Sequence, residues 1–207
     1  YQVRAQPERA QRTEFEHIFA ASALGKHRLC WQNGGRDNCA ANDPVFQEAY
    51  VDLFNLRVVV GEPNADRSDY RFGVIPGQPH QYGSCSFEVD FKSRIAEPAD
   101  SVKGEIARVN FYMSDRYQIR MSDQQQKLFL AWHKQFPVSP RERLLHDRTA
   151  AIMGHQNPYV TGTKTWQLGN GVQDNVTANR NALAPTPPST NAPIKANVKS
   201  KVCQNPP

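Results

Sequence analysis

Glu16 and His17 stand side by side at the end of the segment Arg12-Thr13-Glu14-Phe15-Glu16-His17. A carboxylate can hold a divalent metal ion, and an imidazole can take a proton from water. The pair therefore has the parts for metal-assisted hydrolysis. Such a dipeptide also fits an ordinary surface. It carries chemistry only where the chain adds further ligands and a reason to bind an anion. Asn64 is the candidate third member. Its side-chain oxygen, together with Glu16, makes an oxygen donor set that suits Mg²⁺, Ca²⁺ or Mn²⁺ better than zinc.

These residues need elements that bring them together. Residues 12–17 alternate and read as a strand, which would send Glu16 and His17 to opposite sides unless the backbone turns there. Residues 18–25 are small and apolar, a buried turn or short helix, and residues 26–43 read as loop. Asp43 followed by Pro44 predicts a helix start, and Val45, Phe46, Ala49, Leu53 and Leu56 fall on one face over 44–56. Leu56-Arg57-Val58-Val59-Val60 has the β-branched content of a strand. Gly61-Glu62-Pro63 breaks it, and Asn64 is then placed to open a helical turn. If the two strands pair, the end of the first lies near the start of that turn.

Further along, residues 73–85 are a Gly/Pro-rich loop, and Phe87, Val89 and Phe91 alternate as a short strand. Helices are expected over 99–117, with Val102, Ile106, Val109, Tyr112 and Met113 on one face, and over 122–134, with a capping-box start at Ser122. A charged helix follows over 141–153. Beyond residue 162 the periodicity ends, so residues 1–162 read as the folded domain and 163–207 as an irregular or disordered extension, anchored only at Trp166 and Cys203.

The chain of 207 residues carries a net charge of +5, which favours a phosphate-backbone partner through counterion release. No apolar run is long enough for a transmembrane helix. A start at Tyr1 without a signal-peptide pattern fits a processed form or a fragment. The four cysteines have no zinc-finger spacing. Cys30 and Cys39 bracket a polar glycine-containing loop that could close as a disulfide in an oxidising compartment; two free thiols in a reducing one is the alternative. His27, His80, His133, His146 and His155 read as surface or packing residues, as do Trp31 and Trp132, and Arg141-Glu142-Arg143 reads as a solvated helix face.

Several segments, taken in order, resemble bacterial endonuclease I. They are Tyr1-Gln2-Val3-Arg4, Glu16-His17, Cys30-Trp31-Gln32-Asn33-Gly34-Gly35-Arg36, Asp52-Leu53-Phe54-Asn55-Leu56 and Gly61-Glu62-Pro63-Asn64-Ala65-Asp66-Arg67. Tyr82-Gly83-Ser84-Cys85, Val89-Asp90-Phe91-Lys92, Glu105-Ile106-Ala107-Arg108, Phe111-Tyr112-Met113 and Asn157-Pro158-Tyr159-Val160 continue the series. The resemblance implies an α+β fold with a ββα-metal (His-metal finger) core, further helices and an irregular tail. It implies a periplasmic or secreted, sequence-nonspecific nuclease acting on DNA or RNA as a monomer. His17 would be the general base, Glu16 and Asn64 would bind one ion (Mg²⁺, or Mn²⁺ or Ca²⁺), and Arg36 would contact the phosphate. Arg67 would support the site or contact the DNA backbone, and Arg108 would contact the substrate. Products would carry a 5′-phosphate and a 3′-hydroxyl. Cys30–Cys39 is expected as a disulfide, and Cys85 is left free or paired with Cys203.

The chain departs from the family pattern at several positions. Phe54 stands where a histidine is usual, and Tyr50 where a glutamate is usual. These two substitutions suggest a second reading, a catalytically weak nucleic-acid-binding homologue. A third reading is a nuclease toxin domain restrained by an immunity protein, prompted by the missing N-terminal region and the long tail.

Overall fold

The computed structural model describes residues 1–77 and 80–170. The elements are α1 (Pro7–Ala10), β1 (Thr13–His17), α2 (Ala21–Gly25), α3 (Leu29–Gln32), α4 (Gly35–Asn42), α5 (Pro44–Tyr50), β2 (Leu56–Val60) and α6 (Gly61–Arg67). They are followed by β3 (Arg71–Phe72), β4 (Glu88–Asp90), β5 (Ile95–Glu97), α7 (Asp100–Arg116), α8 (Asp123–Gln135), α9 (Pro140–Met153) and α10 (Pro158–Thr161). Helices and small sheets mix along the chain, so the fold is α+β.

Strands β1 and β2 pair antiparallel, with Thr13 opposite Val60, Glu16 opposite Arg57 and His17 opposite Leu56. Helix α6 leaves β2 without a loop. It therefore starts three residues earlier than a turn opened at Asn64. Pro63 is compatible with this start because a first-turn N–H has no intrahelical acceptor to lose. Gly61 is required there: a Cβ would sit 2.6 Å from the Arg9 carbonyl oxygen. Together β1, β2 and α6 form a ββα unit.

Between the two strands runs a helical excursion rather than the loop expected over 26–43. Helices α3 and α4 are joined at Gly34 and Gly35, whose φ values of 142° and 68° favour glycine, and the Cys30–Cys39 disulfide staples them. Asn38 Nδ2 also donates to the Cys30 carbonyl at 2.7 Å. Asp43 caps α5 as expected, accepting from Phe46 N at 2.9 Å, but the helix ends at Tyr50 rather than continuing to Leu56.

The N-terminal residues are tied to α6. Glu62 accepts from the Tyr1 hydroxyl and from the backbone N–H groups of Arg4, Ala5 and Gln6, and Arg4 forms a two-bond ion pair with Asp66. The second sheet has the order β3-β5-β4, with β3 parallel and β4 antiparallel to β5. Helix α7 runs through the core. It buries Val109, Phe111, Tyr112 and Met113 and packs along α8.

Trp166 extends the packed body past the expected boundary at residue 162. It is 2% exposed, stacks on Phe111 at 4.9 Å and donates its indole N–H to Gln126. The Gly169 N–H donates to the same Gln126 oxygen, so the described chain stays docked on α8 beyond the last periodic segment. The expected extension from residue 171 onward lies outside the described residues, as does the Cys85–Cys203 pairing at Cys203.

Candidate active site

Alternation along β1 divides its side chains between two faces. Glu14 and Glu16 turn to α6, where Glu14 accepts from Asn64 Nδ2 at 2.9 Å and Glu16 accepts from Arg67 Nη1 at 2.7 Å. His17 turns the other way and stacks on the Tyr50 ring with centroids 4.5 Å apart. Glu16 and Asn64 border one cleft, together with Arg67, Arg57, Glu105 and Arg141.

His17, Glu16, Asn64 and Glu14 each have an identifiable partner. His17 Nε2 lies 2.8 Å from the Tyr50 carbonyl oxygen. A carbonyl only accepts, so Nε2 carries the proton and the neutral ring keeps its lone pair on Nδ1. Burial pushes the His17 pKa down. The Tyr50 carbonyl works against that, and the charges of Arg36 and Arg67 add to the lowering. Burial pushes the Glu16 carboxyl up, and Arg67 only partly offsets it. Asn64 Nδ2 is committed to Glu14, which leaves the amide oxygen as its atom for a cation. Glu14 is itself an anchored anion. Burial raises its carboxyl, but donors from Arg9, Asn64 and Arg12 outweigh this and hold it at about 2.

Arg36 is exposed in the first turn of α4, inside the loop closed by the disulfide, and its charge reaches His17. Of the two roles expected for Arg67, its contacts fit support of the site rather than a substrate contact. It is 5% exposed and donates to Glu16, to the His17 carbonyl at 2.8 Å and to the Ile18 carbonyl at 3.0 Å. Its guanidinium also lies 4.6 Å from the centre of the Phe72 ring. It clasps the end of β1. Arg108 is likewise removed from any substrate: it is 1% exposed and makes two 2.6 Å bonds to Glu142. A buried guanidinium needs such a partner, and this one leaves no face for a phosphate.

Tyr50 and Phe54, two of the departures from the family pattern, are also placed. Tyr50 offers His17 a main-chain carbonyl, which any residue would supply, and a ring to stack on, which the usual glutamate would not. Phe54 is 3% exposed and packs on Tyr112, His146 and His155 in the core. His146 and His155 are packing residues, as expected, and so is His133 beside Phe111. The functional neighbours that a sequence reading misses are Glu14, Arg57, Glu105 and the Tyr50 carbonyl. Of these, only Glu14 leaves a sequence signal, because it lies two positions before Glu16 on an alternating strand.

Among the described residues no group of three or more His, Cys, Asp or Glu side chains is arranged to hold a metal ion. The donor set at hand is one carboxylate and one amide oxygen. That set fits a hard ion which keeps most of its waters, as Mg²⁺ does.

The Endonuclease I family profile matches residues 2–164. An Endonuclease-1 of Buchnera aphidicola subsp. Baizongia pistaciae is 42% identical over 162 residues, covering 77% of this chain and 66% of that protein. An extracellular deoxyribonuclease of Aeromonas hydrophila is 42% identical over 161 residues, covering 77% of this chain and 70% of that protein. A periplasmic deoxyribonuclease of the same organism is 41% identical, with coverage of 77% and 68%. The chain thus spans about two thirds of the length of these relatives, between 66% and 70%. With the ordered motifs and the ββα unit already in place, this match over most of its length makes the chain a member of the endonuclease I family.

Proposed function

We propose that the chain is a metal-dependent, sequence-nonspecific endonuclease that hydrolyses phosphodiester bonds of DNA or RNA, built on a ββα-metal core. The observation that carries the reading is the hydrogen bond from His17 Nε2 to the Tyr50 carbonyl, which leaves the Nδ1 lone pair as a base on the residue that follows Glu16. The family membership and the deoxyribonuclease names of the relatives support the same reading.

In this scheme His17 Nδ1 takes the proton of the attacking water, and the lowered pKa of the ring keeps it neutral at neutral pH. The Glu16 carboxylate and the Asn64 amide oxygen would hold one Mg²⁺. Such an ion supplies charge neutralisation at the phosphate and a bound water for the leaving oxygen. Glu14 orients the Asn64 amide, and Arg67 fixes the Glu16 carboxylate and the end of β1. Arg36 offers a guanidinium fork to phosphate oxygens. The products carry a 5′-phosphate and a 3′-hydroxyl. The disulfide and the extracellular and periplasmic relatives place the protein in the periplasm or outside the cell.

Plasmid digestion with Mg²⁺, with and without EDTA, tests the proposal. Wild type should nick supercoiled plasmid, EDTA should stop it, and His17→Ala should lose about 10²–10⁴-fold in rate. The proposal fails if cleavage is insensitive to EDTA or if His17→Ala cleaves like wild type. End labelling checks the polarity: fragments should accept a 5′ label only after phosphatase treatment.

A further inference from the structure

Glu105 on α7 sits between two arginines at the cleft that Glu16 and Asn64 border. It is 5% exposed. It accepts from Arg57 Nε at 2.5 Å on one oxygen and from Arg141 Nη1 at 3.2 Å on the other. One carboxylate faces two guanidinium groups, so the cluster keeps one positive charge.

The geometry decides which arginine carries that charge outward. Arg57 is consumed by the protein. Its side chain is 13% exposed, and it donates to Glu105, to the Phe54 carbonyl and to the Leu56 carbonyl. Arg67, the third cation on the cleft, is 6% exposed and committed to Glu16 and two carbonyls. Arg141, in the first turn of α9, differs from both. Its side chain is 47% exposed, and among the described residues only Nη1 is engaged. Glu16 is matched by Arg67 and Glu105 by Arg57, so Arg141 brings the uncompensated charge to this cleft. A guanidinium held at one nitrogen by a buried carboxylate presents its remaining N–H groups as a fixed fork, the geometry that takes two oxygens of a phosphate.

We propose that Arg141 binds a backbone phosphate of the nucleic-acid substrate next to the scissile one, with Glu105 as its positioning residue. The inference rests on the nuclease reading above. The same carboxylate fixes Arg141 against the cleft wall and lies between two cations, whose charges outweigh the upward push of burial on its own pKa. The carboxylate that holds Arg141 therefore stays charged. Arg143, one residue pair further along α9, is exposed but does not border the cleft, so it provides an internal control of equal charge.

The test compares Arg141→Gln, Arg141→Lys and Arg143→Gln. Binding of a short DNA duplex is measured against salt concentration in a His17→Ala background with EDTA, where no cleavage occurs. Arg141→Gln should reduce the magnitude of the log Kd against log salt slope by about 0.9, the value for one phosphate contact on duplex DNA. Arg143→Gln should leave it unchanged. In the active protein, Arg141→Gln should raise KM about fivefold at an exposed ion-pair site. The kcat should hold, and Arg141→Lys should recover part of the loss. Unfolding temperatures should match wild type, because Glu105 keeps Arg57. Equal slopes for the two glutamine variants, or no change in slope for Arg141→Gln, would overturn the assignment. Wild-type cleavage by His17→Ala would instead overturn the nuclease mechanism, whatever the slopes show.

Discussion

Replacing Arg67 separates two roles that its place in the sequence allows. A phosphate-binding arginine can be removed with little effect on folding, and the loss appears in KM. A buried clasp cannot. Arg67 makes one 2.7 Å bond to Glu16 and two to main-chain carbonyls at 2.8 and 3.0 Å, and it is 5% exposed. Arg67→Ala leaves the Glu16 carboxylate buried without its cation and the His17 and Ile18 carbonyls without their donor. Breaking one side of a buried ion pair costs about 3–5 kcal/mol. For a protein of this size that is a fall of about 10 °C in unfolding temperature. Arg67→Lys keeps a charge for Glu16 but cannot reach both carbonyls with one ammonium, so it should fall between the two. Thermal unfolding by circular dichroism and steady-state plasmid cleavage read the outcome. We expect a large drop in stability together with a drop in kcat, because Glu16 and the end of β1 shift. An unfolding temperature within about 2 °C of wild type, with intact kcat and raised KM, would refute the clasp and restore a substrate contact.

Three other perturbations test the supports of the site. Glu62 is buried, which raises its carboxyl, but its donors from Tyr1, Ala5, Arg4 and Gln6 outweigh this and hold it at about 2, below the ordinary 4.5. A depressed carboxyl stabilises the fold above its unfolded pKa and loses that contribution as pH falls toward the folded one. The difference is on the order of 3 kcal/mol, present at pH 7 and lost between about pH 5 and pH 2. Urea titrations should show Glu62→Gln less stable at neutral pH and flatter across that acid window. The His17 pKa is lowered from 6.5, in part by Arg36, so the acid limb of kcat/KM should lie below 6.5 and move up in Arg36→Gln. A limb that stays in place in that variant would separate Arg36 from the base. Opening the Cys30–Cys39 loop in the double serine variant should cost about 2–3 kcal/mol. It should also lower cleavage, because Arg36 lies inside that loop; full activity under reducing conditions would detach the loop from catalysis.

The parts of this fold that show in the sequence are those with a period or a local partner. The alternation of Thr13–His17 and the β-branched run Leu56–Val60 announce the hairpin, and Asp43 and Ser122 announce their helices through caps formed within three residues. Helices α3 and α4 lack both signals. They are short and joined through two glycines, and a covalent staple holds them beside the few side chains, Trp31, Cys39 and Ala40, that reach the core. A staple acts through one pair of side chains and imposes no period on the residues between.

The burial of Arg67 and Arg108 has a different cause. An arginine in a charged motif is exposed by default, since burial requires a counter-charge, and here the counter-charges are far away in sequence. Arg67 meets Glu16 across 51 positions, and Arg108 meets Glu142 across 34. Nothing local marks either pairing. The hydrogen bond between His17 and Tyr50 spans 33 positions and ends on a main-chain oxygen, so it leaves no trace in residue types; only the ring stack beside it depends on the Tyr50 side chain. The same fact alters the weight of the two family departures. A side chain can change at position 50 without removing the acceptor that sets the His17 tautomer, because the backbone supplies it. At position 54 the change falls among Tyr112, His146 and His155, inside the packed core and outside the cleft that Glu16 and Asn64 border. Substitutions there therefore bear on packing. A weakened enzyme would follow from a change at Glu14, Glu16, His17, Asn64 or Arg67, where side-chain atoms make the contacts, whereas Tyr50 bears on His17 by side chain only through its stacked ring.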